Sequence, residues 1–92
     1  MENLQNKDGV IRGNFISYED LDKNGFDRNE FSYYVDATIK LKHETVVLRK
    51  CKTIDIQEEG SQIFYFSEGD DGILLFRKED NPNMTIKRLL LN

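Results

Sequence analysis

The sequence predicts a mainly β single domain: an antiparallel meander of five or six short strands, curled or closed into a small barrel. Three observations carry this. Apolar residues occupy alternate positions over residues 31–42, the period of a strand with one buried face. Aromatic and aliphatic runs recur at Ile63-Phe64-Tyr65-Phe66 and Ile73-Leu74-Leu75-Phe76. Between the runs stand turn-forming clusters, with spacings near ten residues.

In chain order, residues 1–8 hold no apolar pattern and read as a loosely ordered N-terminus. Residues 10–18 suggest a first strand, weakened by Gly13. Ser17-Tyr18-Glu19-Asp20-Leu21 suits a short helical turn near 17–22, with Ser17 as a cap. A polar loop covers 22–29. The alternation of Phe31, Tyr33, Val35, Ala37, Ile39 and Leu41 with Ser32, Tyr34, Asp36, Thr38, Lys40 and Lys42 makes 30–42 a strand. Next, Val46, Leu48, Lys50, Lys52, Ile54 and Ile56 share one parity. An apolar face broken by two lysines implies a bulge, a twist or a run beyond the sheet edge. Glu59-Gly60-Ser61 is a turn. Glu68-Gly69-Asp70-Asp71-Gly72 is a hairpin loop, because Gly supplies positive φ and Asp tolerates turns. Asp80-Asn81-Pro82-Asn83 is a further turn, and 84–91 reads as a last strand rather than a short helix capped by Asn83.

The chain has 92 residues, enough for one domain, 1–92, and too few for two. At this size about 60–65 % of the unfolded surface is buried, so the core is modest. Apolar residues at 38 % and charged residues at 33 % place it among polar globular chains. No apolar run approaches the roughly 20 residues of a membrane helix. The start, Met1-Glu2-Asn3-Leu4-Gln5-Asn6-Lys7-Asp8, carries no apolar signal region. A single cysteine, Cys51, excludes an internal disulfide and a thiolate zinc set. These features together predict a cytoplasmic protein without membrane, metal or cofactor.

The formal charge of −4 is distributed in blocks. Residues 1–30 sum to −3, residues 36–52 to +3, residues 53–80 to −6 and residues 81–92 to +2. Such blocks pair across neighbouring strands or present separate faces. The acidic excess disfavours duplex nucleic acid as a partner.

Several motifs bear on chemistry. Asp20-Leu21-Asp22-Lys23-Asn24-Gly25 matches the first half of a calcium loop. The second half departs from it: Asp27 stands where an apolar residue belongs, and Phe31 where a bidentate Glu belongs. The fragment is therefore read as a polar turn. His43, the only histidine, lies between Lys42 and Glu44 and reads as a solvated turn residue. Cys51 has Arg49, Lys50 and Lys52 nearby, which would favour a thiolate, but a lone cysteine more often packs in a core. No phosphate loop, nucleophile elbow, zinc-protease motif or paired-cysteine motif occurs, so the sequence predicts no enzyme.

Two surfaces remain. Asp55, Glu58, Glu59, Glu68, Asp70 and Asp71, with Glu79 and Asp80, fall on turns at the ends of the later strands. Together they form an acidic rim that steers toward a basic protein, with Tyr34 as an exposed aromatic contact. Lys40, Lys42, Arg49, Lys50 and Lys52, near several aromatics, form an alternative single-stranded nucleic-acid face. The leading expectation is a small acidic, non-catalytic protein-binding module. By analogy of type it suits an inhibitor, immunity or regulatory protein of mobile elements or phages. The alternatives are a structural homo-oligomer joined through strand edges or the Tyr34 face, and the nucleic-acid binder.

Overall fold

The computed structural model describes residues 10–57 and 60–90. The expectation of a loose N-terminus at 1–8 lies outside these residues. Six antiparallel strands form one curled, unclosed sheet: β1 (Gly13–Ser17), β2 (Tyr34–Lys40), β3 (Thr45–Ile56), β4 (Gln62–Glu68), β5 (Gly72–Phe76) and β6 (Met84–Arg88). One helix, α1 (Tyr18–Lys23), follows β1, and a 3-10 turn (Lys78–Asp80) precedes β6. The sheet order is β1-β5-β4-β3-β2-β6. Thus β2 to β5 follow one another as a meander, while β1 returns to β5 and β6 crosses to the outer side of β2.

Alternation sorts side chains to two faces. Inside the curl, Val35, Ala37 and Ile39 of β2 pack with Val46, Leu48 and Cys51 of β3, Tyr65 of β4, Leu74 and Phe76 of β5, and Met84 of β6. On the outer face, Phe66 and Ile73 are covered by Leu21 of α1, with Phe26 and Ile54 against them. Phe26 meets Phe66 edge-on at 5.6 Å, a geometry the ring quadrupoles favour. Burying these groups is the main stabilising term. The β1–β5 pair comes unusually close. A Cβ on Gly72 would collide with the Ile16 carbonyl oxygen, so this position requires glycine.

The strand expected at 30–42 is shorter. Tyr33 continues the extended line, since its carbonyl accepts from the Thr53 amide, and its side chain packs against the inner core. Phe31 leaves the line. It packs at 4.7 Å on Tyr34 and lies over the Lys52 ammonium at 4.9 Å.

The two lysines that interrupt the parity of β3 mark a β-bulge. Val35 faces Cys51 and Ala37 faces Leu48, so Asp36 opposes both Arg49 and Lys50. Lys50 sits at φ 53°, and its amide donates to Asp36 Oδ1 at 3.0 Å. The extra residue exchanges the two faces of the strand. Cys51 and Thr53 turn inward, and Lys52 turns to the outer face. A side chain in this left-handed region costs about 1–2 kcal/mol, against the roughly 0.5–1 kcal/mol of chain entropy that glycine adds. Lys50→Gly is therefore expected to stabilise the protein by about 0.5–1 kcal/mol in urea denaturation. A loss of stability would show that the Lys50 side chain contributes something beyond backbone geometry.

Candidate functional site

The segment that resembles half a calcium loop folds as a capped helix. Ser17 Oγ accepts the Asp20 amide at 3.2 Å and starts α1. Asn24 ends it, with Gly25 at φ 69° behind. The Gly25 amide donates to the Asp22 carbonyl and the Phe26 amide to the Leu21 carbonyl. This is the Schellman stop signal, completed by the apolar contact of Phe26 with Leu21. The Asn-Gly pair thus serves helix termination. Among the described residues, no group of three His, Cys, Asp or Glu side chains is placed to hold a metal ion.

Beyond α1 the chain crosses the outer face of β3 and leaves a hollow of about 690 Å³. Its floor is Leu21, Phe26, Phe31 and Ile54, and its rim carries Asp20, Asp27, Glu30 and Asp55. Among the described residues, no lysine or arginine lines it. The four acids are exposed, and none forms an ion pair among the described residues. Their local contacts are neutral: Asp27 Oδ1 accepts the Asn29 amide at 2.9 Å, and Asp55 Oδ1 accepts the Ser61 hydroxyl at 2.9 Å. An apolar floor beside acids that have no ion-pair partner among the described residues suits a group with an aliphatic stem and a cationic head.

The residues expected to form one acidic rim occupy different places. Asp55 lines the hollow. Glu58 and Glu59 lie outside the described residues. Asp70 and Asp71 are exposed in the β4–β5 turn, at the far end of β4. A strand of that length separates its ends by roughly 20 Å, so they do not share a rim with Asp55. Glu68 is already engaged. Its carboxylate holds Arg28 Nη1 at 3.0 Å and Lys52 Nζ at 3.2 Å. Tyr34 is half-buried against Phe31.

The basic set divides as well. Lys40, Lys42, Arg49 and Lys50 are exposed, with Arg49 at 3.7 Å from Asp36. Lys52 is not part of that surface. It is 8 % exposed and donates to the Arg28 carbonyl at 2.9 Å. The bulge turns it under Phe31 and the 24–33 segment, a correction to its place in a nucleic-acid face. His43 is exposed in the β2–β3 turn.

Cys51 is fully buried, and its thiol donates to the Leu48 carbonyl at 3.5 Å. Burial, followed by the negative charge of Asp36, pushes it from 9.0 to about 12. The thiolate that neighbouring bases would favour does not form at neutral pH. Two results should follow. A thiol reagent should modify native Cys51 only as fast as the protein opens. Because the folded value is raised, this stabilising contribution is complete below pH 9.0 and lost as pH climbs toward 12. Burial raises Tyr65 in the same direction. The urea midpoint should fall across that alkaline window, less steeply in Cys51→Ala. Rapid labelling of the folded protein would contradict the assignment.

Sequence inspection alone does not single out Asp27, Glu30 or Phe26 as functional. The available signal was the interleaving of acids with Phe26 and Phe31 over residues 19–31. No protein family, curated protein or solved structure matches this chain.

Proposed function

We propose that this protein is a non-catalytic protein-binding module that receives a basic segment of a partner in the hollow beside β3. An inhibitor, immunity or regulatory role of the mobile-element or phage type, in the cytoplasm, is the setting this reading favours. The observation that carries it is the hollow itself: the exposed acids Asp20, Asp27 and Glu30, without an ion-pair partner among the described residues, beside a floor of Leu21, Phe26, Phe31 and Ile54, with Asp55 at its β3 border. Interfaces concentrate their energy where apolar anchors are shielded by a polar rim. The like charges also raise the rate of encounter with a cationic surface.

The test is capture of partners by the tagged chain, compared with Asp20→Lys/Asp55→Lys. Asp70→Lys/Asp71→Lys, at the far end of β4, is the control. Circular dichroism verifies each fold. The hollow variant should lose the captured protein and the control should retain it, with a yield that falls as salt rises. Retention by the hollow variant would sink the assignment.

Self-assembly is the second reading. It is favoured by the edge strand β1, where Phe15 is 44 % exposed. Light scattering that gives a strict monomer at high concentration removes it.

A further inference from the structure

Strand β3 outruns its neighbour on one side. Its ladder with β2 ends at the Tyr34–Lys52 pair. Thr53 closes that contact, donating to the Tyr33 carbonyl and accepting from the Ser32 amide. β3 then continues to Ile56, paired with β4 as far as Gln62. In an antiparallel strand, alternate residues direct their N–H and C=O groups to the same side. Asp55, two positions beyond Thr53, therefore turns its amide and carbonyl away from β4, toward the side that Phe31 and the residues before it have left. Among the described residues neither group has a backbone partner. The acid-rimmed hollow lies along this same stretch, lined by Ser32, Thr53, Ile54 and Asp55. An open strand edge, an apolar floor and uncompensated negative charge thus coincide.

Open edges of this kind are templates for another strand. We propose that the occupant of the hollow is an extended, basic segment of a partner protein, which adds to the β3 edge at Asp55. A Lys or Arg side chain of that segment lays its stem on Phe26 and Ile54 and keeps its head among Asp20, Asp27 and Glu30. The main-chain pairing supplies register, and the charges select a basic sequence over an acidic one. This inference rests on the protein-binding reading above and specifies its mode.

The probe is a short synthetic peptide of alternating Lys and Thr, titrated into the isotope-labelled full chain and followed by amide NMR. A counterpart with Glu in place of Lys serves as comparison. The Lys peptide should shift the resonances of Phe26, Ile54 and Asp55, and the Glu peptide should not. Asp55→Asn removes the charge and keeps the amide. Asp55→Pro also removes the outward N–H, which an edge position tolerates. Affinity is expected to fall about 3-fold in the Asn variant and about 10-fold or more in the Pro variant, the difference matching one lost backbone hydrogen bond. Equal responses to the two peptides would overturn the basic-partner reading itself. A Pro variant that binds as the Asn variant does would overturn only the strand pairing. Hydrogen exchange at the Asp55 amide of the unaltered chain gives an independent check. The Lys peptide should slow it, and unslowed exchange at saturation contradicts the pairing.

Discussion

Replacing Asn81 by Asp is expected to destabilise the protein more than deleting the side chain. Asn81 is 2 % exposed and makes three hydrogen bonds. Its Oδ1 accepts the Arg12 amide at 2.7 Å, and its Nδ2 donates to the carbonyls of Arg12 at 3.1 Å and Arg77 at 2.8 Å. The Asn81 carbonyl also accepts the Met84 amide that begins β6. One amide side chain therefore pins the entrance of β1 to the crossing from β5 to β6, at the two ends of the sheet order. Asn81→Ala leaves these backbone groups without partners and should cost about 2–4 kcal/mol. Asn81→Asp retains the acceptor but turns a carboxylate toward two carbonyl oxygens, raising the cost to about 4 kcal/mol or more at neutral pH. Acid should restore part of it, because a protonated carboxyl regains one donor. Against a domain stability of roughly 5–14 kcal/mol, either loss is large. Urea denaturation at neutral and acid pH measures both. An Asp variant as stable as the native chain would show that the three bonds do not hold the crossing.

The second large effect concerns the buried ammonium of Lys52. Its Nζ meets Glu68 Oε1 at 3.2 Å and the Arg28 carbonyl at 2.9 Å, with the Phe31 ring at 4.9 Å and the Phe66 ring at 5.9 Å. Glu68 also fixes Arg28, whose guanidinium lies 4.5 Å over Tyr18. Tyr18 in turn donates its hydroxyl to the Gly69 carbonyl at 2.6 Å. The charged group thus fastens the 24–33 segment and α1 to the outer face. Glu68→Ala strands a buried cation and should cost about 3 kcal/mol. Lys52→Met keeps the volume, removes the charge and should cost less than about 1.5 kcal/mol. In a Glu68→Ala/Lys52→Met chain, much of the Glu68→Ala loss should be recovered. A double variant no better than Glu68→Ala would mean that Glu68 acts through Arg28 alone.

Local rules carry much of this fold into view. The alternation through β2, the Gly69–Gly72 hairpin turn, the capped turn at Ser17 and the bulge betrayed by Lys50 and Lys52 are all set by neighbours in the chain. The pairing of β1 with β5 is not, because it joins Gly13 to Phe76 and no local pattern specifies a partner so distant. The fate of Lys52 escapes for a related reason. The bulge switches its face, and the cover over that face comes from Phe31 and the residues before it. The candidate site has the same character. Asp20 belongs to a helix and Asp55 to a strand, and only the Schellman turn at Gly25 brings the 26–31 segment across to join them. Charge counting also overstates the rim, since opposite blocks cancel within the fold where Glu68 meets Lys52 and Arg28.

The hollow beside β3 is the proposed docking place of a partner. Hydrogen–deuterium exchange of the chain, alone and with its captured partner, tests this most directly. Protection should appear over residues 26–32 and 53–56, with little change in the β4–β5 turn at Asp70 and Asp71. Protection confined to the Lys40–Thr45 turn, or to the exposed edges of β1 and β6, would contradict it and move the binding surface away from the hollow.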